Sequence, residues 1–268
     1  MGIESSIIIF FIGLLSSLLG SLLGIGGGVI IVPAFVIIFK YPIQNAVAIS
    51  LSTIVATSVI TTARNIKKGI PNIKIGLELE LITALTAIAG GFIAINIDPK
   101  IIQTLFSLLL ISIAYLMLKR KKSKNYFNTK GEFEYFDPKL NKTIAYNVEN
   151  MRFAFPISAF AGIASGMFGI GGGMFKVPVL NSVCKIPMRA ASATSAFMVG
   201  ITASAGAYVY FRHGYADVDS VFLTLLGVVV GSKLGLYISD NMKNEMIEKV
   251  FVFVIVLLAL EMLIRTYI

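Results

Sequence analysis

Residues 24–33 read GIGGGVIIVP, and residues 169–178 read GIGGGMFKVP. Four glycines in five positions disfavour a helix, yet apolar sequence surrounds each cluster. Working outward, a shift of 145 positions carries the match far beyond the glycines. Gly24, Gly26, Gly27, Gly28, Val32 and Pro33 fall on Gly169, Gly171, Gly172, Gly173, Val177 and Pro178. Without a gap, Pro42 falls on Pro187, Ala46 on Ala191, Ser50 on Ser195, Thr57 on Thr202, Gly69 on Gly214 and Gly90 on Gly235. The chain reads as two copies of one unit.

Composition sets the environment of both copies. The chain has 268 residues, of which 56% are hydrophobic and 14% charged, with a mean hydropathy of +0.85. Soluble domains average about 45–50% apolar and ~25% charged residues. Runs such as 5–24 and 250–264 suit a bilayer core, which takes roughly 20 apolar residues per helical span. The expected class is an all-α, multi-pass integral membrane protein. A net charge of +9 raises nucleic acid as a partner, but the basic residues collect in loops, as the positive-inside rule describes. The expected partners are therefore lipid and a small solute, with no nucleic acid. The N-terminus has no Lys or Arg ahead of its apolar run, so the first segment is expected to be a retained helix and not a signal peptide. The lone Cys184 allows no internal disulfide. His213 sits in the short polar stretch FRHGYADVD without a second His or Cys nearby, so it reads as a loop residue. No metal or cofactor site is expected.

Each copy divides into five apolar segments, at 3–23, 28–40, 43–63, 74–96 and 100–118, then at 152–168, 173–185, 187–211, 217–239 and 244–266. This gives a first repeat at 1–118, a basic cytoplasmic linker at 119–151 and a second repeat at 152–268. The second segment of each copy is short. Thirteen residues at 1.5 Å each cover about 20 Å of a ~30 Å core. If these segments cross, each copy has five crossings and the copies are inverted; if they re-enter, each has four and the copies are parallel. With the linker inside, the inverted arrangement puts Lys185, Arg189, Lys243 and Lys249 inside and leaves Arg212 and Arg265 outside. The parallel arrangement reverses all six. Charge therefore favours inverted repeats with both termini outside.

Backbone within the hydrocarbon must satisfy its hydrogen bonds, so a glycine break belongs beside protein or a watery cavity. In carriers built from inverted repeats, half-helices start at such breaks and point free N–H groups at an anion. Here the half-helices begin after Gly28 and Gly173. The candidate substrate-binding residues are Gly24, Gly26, Gly27, Gly28, Gly169, Gly171, Gly172 and Gly173. Lys176 follows in the first turn of the second half-helix, as a cation for the substrate or as a snorkelling lysine. Ser50, Thr53, Thr57, Thr194 and Ser195 lie on matching helices, together with Thr202, as oxyanion donors or as interhelical contacts. Glu80 and Lys233 are ionisable residues within spans and the candidates for ion coupling, with interfacial snorkelling as the alternative. Gly227, Gly231 and Gly235 read as close helix packing. GIGGGV is neither a dinucleotide fingerprint nor a P-loop.

On the paired GIGGGxxxVP motifs, their place after the first helix of each copy and the basic central linker, the chain resembles the TauE/SafE sulfite-exporter family, within the toluene-sulfonate uptake permease group. The resemblance implies transport of sulfite, sulfonates or related small organic anions across the cell membrane, without an ATP-hydrolysing domain. The expected function is a secondary carrier. The alternative is a passive anion channel using the same glycine-rich site. A membrane enzyme is disfavoured, because no cluster of metal ligands and no nucleophile–base pair can be read from the sequence.

Overall fold

A computed structural model of the chain describes residues 2–23, 26–119, 131–137, 141–239 and 244–267. The first copy forms α1 (Ile3–Leu23), α2 (Gly28–Phe39), α3 (Ile43–Lys67), α4 (Ile73–Asn96) and α5 (Pro99–Lys119). The second forms α6 (Met151–Phe168), α7 (Gly173–Pro178), α8 (Met188–Arg212), α9 (Val218–Ser239) and α10 (Asn244–Tyr267). Among the described residues, seven helices are long and apolar enough to cross a membrane. The protein is thus an all-α multi-pass membrane protein. Its outer surface fits that solvent: Phe11, Leu15, Leu81, Leu85, Phe222, Leu257 and Leu260 are all large, apolar and exposed, an arrangement a soluble fold of this size would not tolerate.

Two elements depart from the expected segments. Segment 173–185 is not one α-helix, because α7 gives way after Pro178 to a π-helical turn, Val179–Val183. Proline removes one backbone N–H from the helical ladder, and the chain here answers with the wider turn. In the first copy, α2 runs on past Pro33 unbroken. The polar linker, in turn, contains an antiparallel hairpin of β1 (Phe133–Asp137) and β2 (Lys142–Tyr146) in the register Phe133↔Tyr146. Its inner face, with Tyr135, Ile144 and Tyr146, packs against Ile70, Ile75, Cys184 and Ile186. Arg189 Nη1 donates to Asp137 Oδ1 at 2.5 Å, and Asn72 Nδ2 donates to Tyr146 Oη at 3.1 Å. The basic run at 120–130 lies outside the described residues.

Helices of one copy pack on helices of the other. α1 lies along α9, and α6 lies along α4. Small residues make both approaches close. A Cβ on Gly227, Gly231 or Gly235 would collide with the carbonyl of Phe10, Leu14 or Leu18. Across the other pair, Gly162, Gly166 and Gly90 face the carbonyls of Thr83, Ala87 and Ile163. Lipid tails supply no hydrophobic drive between helices, so such close backbone packing carries the association. Numbering rises together in both pairs, so each runs parallel. The central pair, α3 and α8, runs the other way: Leu51 meets Gly206, whereas Ser58 Oγ donates to the Ala196 carbonyl at 2.6 Å.

Candidate functional site

Both glycine breaks turn by the same means. Gly26 and Gly27 have φ of 93° and 81°, and their repeat equivalents Gly171 and Gly172 have 72° and 71°. This left-handed region is open to glycine at little cost. In each copy, the second of these glycines is the N-cap of the half-helix.

The two breaks meet. A Cβ on Gly26 would lie 3.4 Å from both Ile54 and Val199, and one on Gly171 would lie 2.9 Å from Val199 and 3.0 Å from Ile54. Ile54 and Val199 stand near the midpoints of α3 and α8, so both turns sit at the centre of that crossing. A Cβ on Gly28 would strike the carbonyl of Gly169 and come within 2.6 Å of Ser50 Oγ. Ser50 Oγ donates to the same carbonyl at 2.6 Å. Ser50 therefore spends its proton holding the second break against the first. Its equivalent Ser195 is buried without a partner among the described residues. Gly24 lies outside the described residues.

Beside the first break is a small void of about 10 Å³, room for about one water, lined by Gly20, Ser21, Gly26, Thr57, Ser58, Thr61, Ala196 and Val199. Thr57 and Ser58 donate to the carbonyls of Thr53 and Ala196, while Thr61 Oγ1 is buried without a partner among the described residues. Sequence reading missed Ser58 and Thr61. Ser58 lies four residues after Ile54, and Thr61 lies four after Thr57 and seven after Ile54; that helical spacing was the available signal.

Beside the second break, Lys176 is 1% exposed and Glu80 2% exposed. Lys176 Nζ donates to Glu80 Oε2 at 2.8 Å, and Thr202 Oγ1 bonds both side chains. Both charges are closed off from the surface of the protein and paired with each other. Lys233 is exposed on α9 and stands apart from this cluster. Thr53 is fully buried and donates to the Ser50 carbonyl. Thr194 lies near the start of α8, where its Oγ1 accepts from Asn72 N at 2.8 Å, so it works on the α3–α4 turn and not at the break. Among the described residues, no group of three His, Cys, Asp or Glu side chains is placed to hold a metal.

Residues 9–262 match the family model of the sulfite exporter TauE/SafE. A probable membrane transporter of Methanocaldococcus jannaschii is 26% identical over 253 residues, covering 89% of this chain and 88% of that protein. One from Bacillus subtilis is 26% identical over 267 residues, covering 97% of each. A sulfite exporter TauE/SafE family protein of Arabidopsis thaliana is 36% identical over 89 residues, covering 33% of this chain and 20% of that protein. No solved structure matches the chain.

Proposed function

The chain belongs to the sulfite exporter TauE/SafE family of membrane transporters, and from that membership we propose that it is a secondary carrier for small anions such as sulfite, sulfonates or related organic anions. One observation carries the reading: two left-handed glycine turns, one from each copy, rest on the same Ile54 and Val199 at the middle of the α3–α8 crossing. The first N–H groups of a helix have no intrahelical acceptor, and the helix dipole makes that end positive. α2 therefore brings a positive end to the centre of the protein, beside a small, mostly apolar void bordered by Ser21, Thr57, Ser58 and Thr61. Such an end favours an anion.

The repeats are proposed to be inverted, with the termini outside and the 119–151 linker cytoplasmic. Equivalent helices α3 and α8 running antiparallel support the inversion, and the distribution of Lys and Arg supports the orientation. A carrier of this kind alternates access by moving one set of helices against the other around the central breaks.

The test uses purified protein in proteoliposomes with labelled sulfite and a panel of sulfonates. A carrier gives saturating flux and counterflow. Linear flux without counterflow would make it a passive anion channel, and absence of flux for every anion tried would remove the anion reading.

A further inference from the structure

The Lys176–Glu80 pair, which spans the two copies, has no charged counterpart under the repeat. The repeat shift puts Ile31 on Lys176 and Leu225 on Glu80, while Thr57 matches Thr202. Beside Thr57 the first copy has no charge, only a small, mostly apolar void. Beside Thr202 the Lys176–Glu80 ion pair joins the two copies. The donors that grip the Glu80 carboxylate, an ammonium and a threonine hydroxyl, are the donors a sulfonate or sulfite oxygen would need.

We propose that the Glu80 carboxylate is a built-in substitute for the transported anion. In the empty carrier it neutralises Lys176. When substrate enters, the anion takes Lys176 and Thr202, and Glu80 takes one proton from water on the open side. On release, the proton leaves Glu80 and the carboxylate returns to Lys176. The proposal rests on the anion-carrier reading above.

Charge balance is the physical reason. An unpaired charge in a low-dielectric interior costs far more than a paired one. Lys176 with ionised Glu80 sums to zero. Lys176 with a bound monoanion and protonated Glu80 also sums to zero. The carrier can then reorient in either state, and one proton accompanies each monoanion. The surroundings of Glu80 leave this exchange to the pair alone. α4 packs on α6 and α8. α6 has Arg152 in its exposed first turn; on α8, Arg189 pairs with Asp137 at one end and Arg212 is exposed at the other. Lys74 and Glu78 of α4 are exposed. Among the described residues, Lys176 is the charged group that touches Glu80.

The experiment uses full-length protein and methanesulfonate, a monoanion that does not titrate near neutral pH, with sulfite as a second probe. In detergent at pH 7, either anion should raise the unfolding temperature of Glu80→Gln by about 3 °C or more, as a ligand of the folded state does. The Lys176→Met/Glu80→Gln protein should not respond. Binding of methanesulfonate to wild type should draw protons from a weakly buffered solution, read with a pH dye, so the test stands even where a variant folds poorly. In proteoliposomes, the ratio of net uptake to anion exchange should fall about tenfold or more in Glu80→Gln, because the empty carrier would have to move an uncompensated lysine. No anion response in Glu80→Gln, no proton uptake by wild type, or an unchanged flux ratio would each overturn the proposal. If wild type moves neither probe, the carrier reading fails, and the unfolding series still decides whether an anion replaces Glu80.

Discussion

Lys176 Nζ stands 2.8 Å from Glu80 Oε2, joining residues 96 positions apart in the sequence. Both are closed off from the surface of the protein. The pair unites the half-helix of the second copy with the fourth helix of the first, so it ties the two copies together at the height of the breaks.

Removing one member of such a pair strands a buried charge, a loss on the order of 3–5 kcal/mol. Lys176→Met and Glu80→Leu should each destabilise the protein on that scale, and the double variant should recover most of the loss. Chemical unfolding in detergent measures the cycle. A double variant no better than the worse single would mean that the two charges are not each other's main partners.

Replacement of the break glycines should follow their surroundings. Gly69 and Gly214 have positive φ and open space around a Cβ, so alanine there costs only backbone strain, about 1–3 kcal/mol. At Gly27 a Cβ would also lie 2.7 Å from Ser16 O, and at Gly171 2.9 Å from Val199. Gly27→Ala and Gly171→Ala should therefore lower stability more than Gly69→Ala, and Gly27→Val should abolish flux. Equal unfolding midpoints across the series would show that contacts at the break carry no cost.

Orientation can be tested with single cysteines on a Cys184→Ser background. Gly2→Cys, at an open position, should react with an impermeant maleimide from outside intact cells. Lys142→Cys, exposed at the start of β2, should react only after the membrane is opened. The reverse pattern would overturn the proposed orientation.

Tyr41 Oη donates to Asp217 Oδ2 at 2.7 Å, linking the α2–α3 and α8–α9 connections outside the spans. Burial pushes the Asp217 carboxyl up, but hydrogen bonds from Ser220 and Tyr41 outweigh it and hold its pKa below the ordinary carboxylate value. A lowered folded pKa stabilises above the unfolded value of about 3.9, and that stability fades as pH falls through the folded value. Wild type should therefore lose stability in acid below about pH 4 more steeply than Asp217→Asn. Parallel pH profiles would rule the link out as a source of acid sensitivity.

The sequence by itself determined the repeat, the approximate positions of the apolar segments and the two glycine breaks. These are local properties. Hydropathy runs fix spans, and clustered glycines fix left-handed turns wherever the chain is placed. α3 runs on from the expected end at 63 through Arg64 to Lys67, because the backbone ladder continues where side chains turn polar. The hairpin was available in the alternation of FEYFD and KTIAY, but the charge of the linker masked it. Only the tertiary structure decided that Lys176 faces Glu80 and Thr202, that Thr194 serves Asn72, and that Lys233 stands apart. The rotational phase of each helix against its neighbours selects such contacts; glycine spacing within one copy signals close packing but does not say which carbonyls of the other copy it will meet.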